Sequence, residues 1–214
     1  MKSVALWSGG KDSSFACFKA IKEGCEVVSL INFLEESGKR SLSHGVSKEI
    51  INIQMQSTGI PYIQKEMNRS EYRMRFISLM EQFKRIDQIE GIVFGDIYLD
   101  AHKEWIESVC SEFDVEPIMP LWGIATEKLA KEFVDSGFRS IVVATRNNVV
   151  GSEFLGREFD YKLINEFKKA KIDTCGEEGE FHTFVYDGPM FKKPIDFKIL
   201  EKRFSDGHWF LELG

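Results

Sequence analysis

The sequence is notable first for what it lacks. It holds four cysteines, Cys17, Cys25, Cys110 and Cys175, and no two of them form a C-x-x-C pair. That spacing shows neither a zinc knuckle nor a thioredoxin-type motif, and it fits scattered reduced thiols. No apolar run is long enough to span a bilayer, so no membrane role is expected. There is no excess of basic charge. With 28 Lys and Arg against 34 Asp and Glu, the net charge is -6, and direct nucleic-acid binding is not expected. Lys202-Arg203 is too short a basic pair to change that. Repeats and low-complexity segments are also missing. A dense motif begins at Ser8, which leaves no room for a signal peptide, so the expected location is the cytoplasm. What remains is 214 residues, 43% hydrophobic and 29% charged, enough to bury a core without staples.

Short apolar runs alternate with helical periodicity. Val4-Ala5-Leu6-Trp7, Val27 to Ile31, Pro61-Tyr62-Ile63, Gly91 to Phe94 and Val115 to Ile118 read as buried strands. Between them, Ser13 to Lys22, Ser47 to Thr58, Glu71 to Ile89 and His102 to Phe113 read as helices, with Phe15, Phe18 and Ile21 on one face of the first. Phe33 to Ser43 reads as a polar loop. The pattern predicts an α/β fold: a parallel sheet of Rossmann-like type with helices on both faces. After Pro117 and Pro120 it changes. A helix at Thr126 to Asp135 and a strand at Ile141 to Ala144 are followed by chain rich in glycine and aromatics, with turn signals at Asp187-Gly188-Pro189 and Asp206-Gly207. This places an ATP-binding domain at residues 1–120 and a smaller α+β substrate or acceptor domain at residues 121–214. Trp105, Trp122 and Trp209 read as core or interface residues.

The densest motif is Ser8-Gly9-Gly10-Lys11-Asp12-Ser13, between the first strand and the first helix. It is not a Walker A loop, which has four residues between its first glycine and the Gly-Lys pair. Gly9 and Gly10 allow backbone N–H groups close to phosphate oxygens, and the helix aims its positive end at the same spot. Lys11 adds a cation; Ser8 and Ser13 add hydroxyls. Asp12 is an unusual neighbour for phosphates unless it holds Mg²⁺ or caps the helix. A plain capped strand-to-helix turn would account for part of this pattern.

A second motif is Cys175-Gly176-Glu177-Glu178-Gly179-Glu180-Phe181-His182-Thr183-Phe184. Its three carboxylates cannot all rest in a packed core. If the segment is extended, His182 shares a face with Glu180. The group suits a site that holds an ammonium, binds Mg²⁺ or acts as a base, and a solvated acidic loop has the same composition. Three smaller features accompany it. His44, in a Ser-His-Gly loop, reaches toward the nucleotide side. Gly95-Asp96 ends the fourth strand, where Asp96 either serves Mg²⁺, ribose or substrate or caps a helix. Arg157 either pairs with a carboxylate or phosphate or makes a surface ion pair.

The first motif resembles the PP-loop, S-G-G-x-D-S, of the ATP pyrophosphatase superfamily. Together with the late G-E-x-G-E-F-x-T-F segment, the Leu155-Gly156-Arg157 element and His44, it resembles the diphthine–ammonia ligase family over nearly the whole chain. The resemblance implies an N-type ATP pyrophosphatase domain and ATP-dependent amidation of diphthine, a modified histidine of elongation factor 2, to diphthamide. It departs at two positions. Glu178 stands where the family has glycine, and His182 where it has an acid. That form resembles a bacterial branch for which a role in corrinoid (B12) salvage has been suggested.

The expected reaction is adenylation of a carboxylate, release of pyrophosphate and capture of the acyl-adenylate by ammonia. Lys11, Asp12, Glu177, Glu180 and His182 are the expected catalytic residues. ATP is expected on Ser8, Gly9, Gly10, Lys11, Asp12, Ser13, His44 and Gly95, with Mg²⁺ on Asp12. The substrate is expected at Arg157, Glu177 and Glu180. Lys2 and Ser3 run straight into the first strand and leave no glutaminase nucleophile, so free ammonium or a separate partner supplies the nitrogen. The acceptor is elongation factor 2 or a small carboxylate, and a homodimer is compatible with all of this. A tRNA thiolase fits poorly, and a nucleotide sensor without chemistry would leave the acidic cluster without a use.

Overall fold

In the computed structural model residues 1–214 are described, the side chain of Arg69 apart. The first half runs β1 (Lys2–Leu6), α1 (Lys11–Lys22), β2 (Glu26–Leu34), α2 (Lys48–Thr58), β3 (Tyr62–Glu66), α3 (Tyr72–Asp87), β4 (Gly91–Val93), α4 (Asp100–Glu112) and β5 (Glu116–Ile118). Its five strands pair in the order β3-β2-β1-β4-β5, all parallel. Successive residues of β1 face opposite sides. Val4 packs with Phe76, Met80 and Ile92 on one face. Ala5 packs with Phe15, Leu30, Ile51 and Met55 on the other. Helices cover both faces, and so the strands read as continuous apolar runs.

The chain moves outward from β1 through β2 to β3, then returns to place β4 on the other side of β1. That reversal opens a crevice at the carboxyl ends of β1 and β4. The segments after both strands, Ser8–Ser13 and Gly95-Asp96, therefore meet. Gly95 is small for a physical reason: a Cβ there would lie 2.9 Å from the Ser13 nitrogen and 3.0 Å from the Asp12 carbonyl carbon.

The second half comprises α5 (Thr126–Asp135), β6 (Arg139–Arg146), α6 (Tyr161–Lys169), β7 (Phe181–Asp187), β8 (Ile199–Ser205) and β9 (His208–Leu213). Its strands form an antiparallel sheet in the order β7-β6-β9-β8. Asp206 and Gly207, both with positive φ, turn the β8–β9 hairpin. This half shares the core on the α1 side. Phe133 and Phe138 meet Phe15 edge-on at 6.0 and 6.1 Å, and Phe181, Phe184 and Leu211 belong to the same cluster as Ala5 and Trp7.

The α/β class and most elements follow the sequence reading. β2 runs on through Phe33 and Leu34, both buried, so the polar loop begins later than expected. Ile21 does not join Phe15 in the core; it is 38% exposed. α6 was not anticipated. α2 is capped as its sequence suggests: the Ser47 hydroxyl accepts from the Ile50 N–H, and Gly59 adopts a left-handed conformation at the far end. No helix among the described residues is long and apolar enough to cross a membrane.

Candidate active site

Ser13 organises the bend after β1. Its hydroxyl donates to the Gly10 carbonyl at 3.1 Å, accepts from the Ser8 N–H at 3.2 Å and lies 2.9 Å from the Ser8 hydroxyl. Gly10 stands at the N-terminus of α1 and has no side chain to cap it. The cap comes from the other half of the chain: Thr183 Oγ1 accepts the Lys11 N–H at 3.0 Å. Strand β7 holds the bend a second time, where the Val185 N–H donates to the Gly9 carbonyl at 3.0 Å. Gln54 on α2 locks the junction. Its amide donates to the carbonyls of Gly9 and Val185 and accepts from the Trp7 indole at 2.7 Å. The phosphate-type bend is thus seated between two halves of the protein. Both glycines are needed for that seating. Gly9 has φ +89, and a Cβ on Gly10 would come within 2.1 Å of His44 Cε1.

The bend opens into a cavity of about 240 Å³. Ser8, Asp12 and Ser13 form one wall, with Asn32, Ser41 and His44 from the β2 side, Gly95, Asp96 and His102 from the β4 side, and Gly176, Glu177 and His182 from the acidic loop. Seven of the expected residues, Ser8, Asp12, Ser13, His44, Gly95, Glu177 and His182, thus line one space. Gly9 and Gly10 form the backbone behind that wall.

Glu177 carries the clearest electrostatic signal. It is half-buried, and burial, with Asp12 and Asp96 nearby, pushes its carboxyl up to about 7, against the pull of the Ile97 N–H and Lys11. The Ile97 N–H donates to its Oε1 at 2.8 Å and fixes it against the segment after β4. The two histidines are neutral. Their rings stack at 4.5 Å. Burial, the His182 ring and Lys11 hold His44 well below its usual range; burial, Lys11 and His208 bring His182 down to about 4. His44 Nδ1 is 3.1 Å from the Thr183 carbonyl, which can only accept, so Nδ1 carries the proton and Nε2 is left as an acceptor.

Three expected residues lie elsewhere. Lys11 turns inward: its ammonium sits between the rings of Phe159 and Phe181, bonds the Cys175 carbonyl and pairs with Asp12 at 2.8 Å. Burial works to lower its pKa and the Asp12 carboxylate overrides that, so it stays charged. It anchors the acidic loop and does not line the cavity. Glu180 is buried and lines the far side of that loop, away from Glu177 and His182, and Gly179, with positive φ, turns the chain between Glu177 and Glu180. Arg157 makes a two-pronged pair with Glu166 of α6, at 2.6 and 2.9 Å, which is the surface-ion-pair alternative.

Sequence reasoning missed the pair of His102 Nδ1 with Asp96 Oδ1, 2.9 Å apart in the cavity. The sequence leaves the role of Asp96 open between ligand contact and helix cap. His102 is six positions further on, a spacing that carries no signal of its own. Gln54 was legible in principle as a polar residue on the apolar face of α2.

A model of the diphthamide synthase N-terminal domain matches residues 1–117, and one of the C-terminal domain matches residues 125–214. The chain belongs to the diphthamide synthase family. A diphthine–ammonia ligase of Rattus norvegicus is 27% identical over 219 residues, covering 91% of this chain and 82% of that protein. The one of Homo sapiens is 26% identical, with the same coverage. That of Schizosaccharomyces pombe is 28% identical and covers 91% of this chain but 36% of the longer relative. Among solved structures, one described as a predicted subunit of tRNA methyltransferase from Methanocaldococcus jannaschii matches with a TM-score of 0.46 and 19% identity, over 91% of this chain and all of that one. Family membership makes the chain an ATP-dependent ligase. It lends no support to the corrinoid or sensor readings.

Proposed function

We propose that this ligase adenylates the carboxylate of diphthine on elongation factor 2 and transfers ammonia to it, releasing AMP and pyrophosphate. One observation carries the reading: the Ser8–Ser13 bend and a carboxyl raised to about 7, Glu177, line the same cavity.

The triphosphate sits against Ser8, Ser13 and the N-terminal end of α1, whose dipole favours the charge that grows on departing pyrophosphate. Asp12 would hold Mg²⁺. Among the described residues no group of three or more His, Cys, Asp or Glu could hold a metal by itself. That fits an ion bound by one carboxylate together with phosphate oxygens. The acceptor carboxylate attacks the α-phosphorus and the bond to the β-phosphate oxygen breaks. Lys11 serves indirectly, holding Asp12 and the acidic loop in place. Glu177, with a pKa near neutrality, takes the proton that the incoming nitrogen must lose. The lone pair of the resulting ammonia then forms the amide bond as the bond to AMP breaks, and the second proton leaves with the departing AMP phosphate or to water. His44 and His182, both neutral, present acceptors to hydroxyls without repelling a cation. Free ammonium is the nitrogen source in this reading.

Asp12→Ala tests it. The expected outcome is loss of about 10²–10³-fold in pyrophosphate release from ATP with diphthine-bearing elongation factor 2 and ammonium, the order seen when charge stabilisation in a transition state is removed. Unchanged release would overturn the assignment.

A further inference from the structure

The wall of the nucleotide cavity is short of positive charge. Three acids line it, Asp12, Asp96 and Glu177, and among the described residues no lysine or arginine does. Lys11, the cation that the bend's sequence offers to phosphates, turns inward to the Cys175 carbonyl. Of the three histidines in the lining, His44 and His182 are neutral, held down first of all by burial. A triphosphate carries several negative charges, and drawing it out of water beside carboxylates is unfavourable unless a cation meets it.

Among the described residues, His102 is the one lining side chain placed to carry that charge. It stands in the first turn of α4, and its Nδ1 lies 2.9 Å from Asp96 Oδ1. The imidazole is 57% exposed and the carboxylate 24%, so the histidine is the outer member of the pair. A carboxylate oxygen accepts, so Nδ1 carries a proton, and Nε2, across the ring, is left for a ligand. The Asp96 hydrogen bond, with the charges of Asp96 and Glu177, raises the His102 pKa against its partial burial. The positive end of α4 disfavours a cation in this turn, but a charge-assisted hydrogen bond is the larger effect. The pair also stands next to the bend: Gly95, which precedes Asp96, packs so closely that a Cβ there would lie 2.9 Å from the Ser13 nitrogen.

We propose that the His102 imidazolium, oriented by Asp96, binds the phosphate chain of ATP from the β4 side of the cavity. The assignment rests on the ligase reading above and gives His102 the cationic role that Lys11 gives up. The bend offers N–H dipoles and hydroxyls from one wall. His102 donates Nε2–H to a phosphate oxygen from the other, where the chain would otherwise meet only Asp96 and Glu177. His102 makes and breaks no bond in this scheme; it holds the phosphates.

The test measures binding by calorimetry, in Mg²⁺, of α,β-methylene-ATP, which cannot be cut between its α- and β-phosphates, and of adenosine. His102→Gln is expected to weaken binding of the analogue about tenfold, the worth of one charge-assisted hydrogen bond, with adenosine unchanged. His102→Lys and His102→Arg keep a cation beside Asp96, and at least one of them is expected to restore most of the affinity. Parent-like binding of the analogue by His102→Gln, equal weakness of the Gln, Lys and Arg variants, or an equal loss for adenosine would each overturn the assignment. In the unsubstituted protein, the imidazole NMR signals of His102, identified by their disappearance in His102→Gln, are expected to shift with the analogue and not with adenosine; signals that stay put would also overturn it. None of these readouts needs turnover. A parent that binds the analogue while the variants behave alike removes His102 and leaves the ligase reading standing, whereas a parent that binds no analogue removes both. A rise in KM confined to the acceptor in His102→Gln would give the imidazolium to the acceptor carboxylate and overturn the phosphate assignment.

Discussion

The bend at residues 8–13 and the loop at residues 173–180 face each other across one cavity, and they are built by opposite means. The bend joins a buried strand to a helix, and its shape follows from Gly9, Gly10 and the Ser13 hydroxyl. The loop has no regular structure. It is held by Asp173 gathering N–H groups, by two glycines with positive φ and by Lys11 reaching its Cys175 carbonyl from the bend. A site of this kind separates two tasks. The bend supplies fixed dipoles, whose strength does not depend on pH. The loop supplies a titrating carboxyl, whose pKa is set by burial and by the acids around it.

Glu177→Gln is the substitution that most sharply separates the two. It is expected to lower kcat for amide formation by about 10²–10⁴-fold, the usual worth of a positioned base, while ATP–pyrophosphate exchange persists. In the unsubstituted protein kcat/KM rises with pH through about 7 and then levels, because the ionised carboxylate is the active form; the Gln variant lacks that limb. Stability moves the other way. A carboxyl raised from 4.5 to about 7 binds its proton more tightly in the folded state, so its contribution to stability falls as pH rises through that window. Above it, the Gln variant is expected to melt higher than the parent. Loss of exchange together with amide formation would mean that bend and loop are not separable.

Thr183→Val probes where they are joined. The change conserves volume but removes the acceptor of the Lys11 N–H, leaving the first turn of α1 without its cap. The expected cost is about 1 kcal/mol, measurable by denaturant unfolding, with a rise in KM for ATP of a few-fold. A stability loss with KM for ATP unchanged would show that the bend keeps its shape without β7.

The sequence made the bend legible and the loop only partly so, for a physical reason. Strand, glycine pair and helix are local signals, and the switch of strand order that brings Gly95 beside Ser13 follows from alternating elements. The direction of Lys11 is not local. It points inward because Phe159, Phe181 and the Cys175 carbonyl, all from far along the chain, await it there. Composition found the three acids of the loop, but the turn at Gly179 lies between Glu177 and Glu180, and the two face different sides. His102 went unnoticed because the short turn from β4 into the first turn of α4, which puts it beside Asp96, leaves no pattern in the sequence.

Arg157 gives the smallest expected effect and the plainest contrast with Lys11. Both are basic residues within motifs that suggested contact with an anion. Lys11 is buried, and its partners hold the wall of the site. Arg157 lies outside the cavity, its guanidinium over the Phe154 ring and both prongs on Glu166, with that pair partly open to water. An ion pair in that setting is screened and contributes little. Arg157→Gln is therefore expected to leave KM for ATP, KM for the acceptor and kcat within about twofold of the parent, since an exposed pair exerts little force on a site it does not touch. A large rise in KM for the acceptor alone would return Arg157 to the substrate and mean that Glu166 yields it when the acceptor docks.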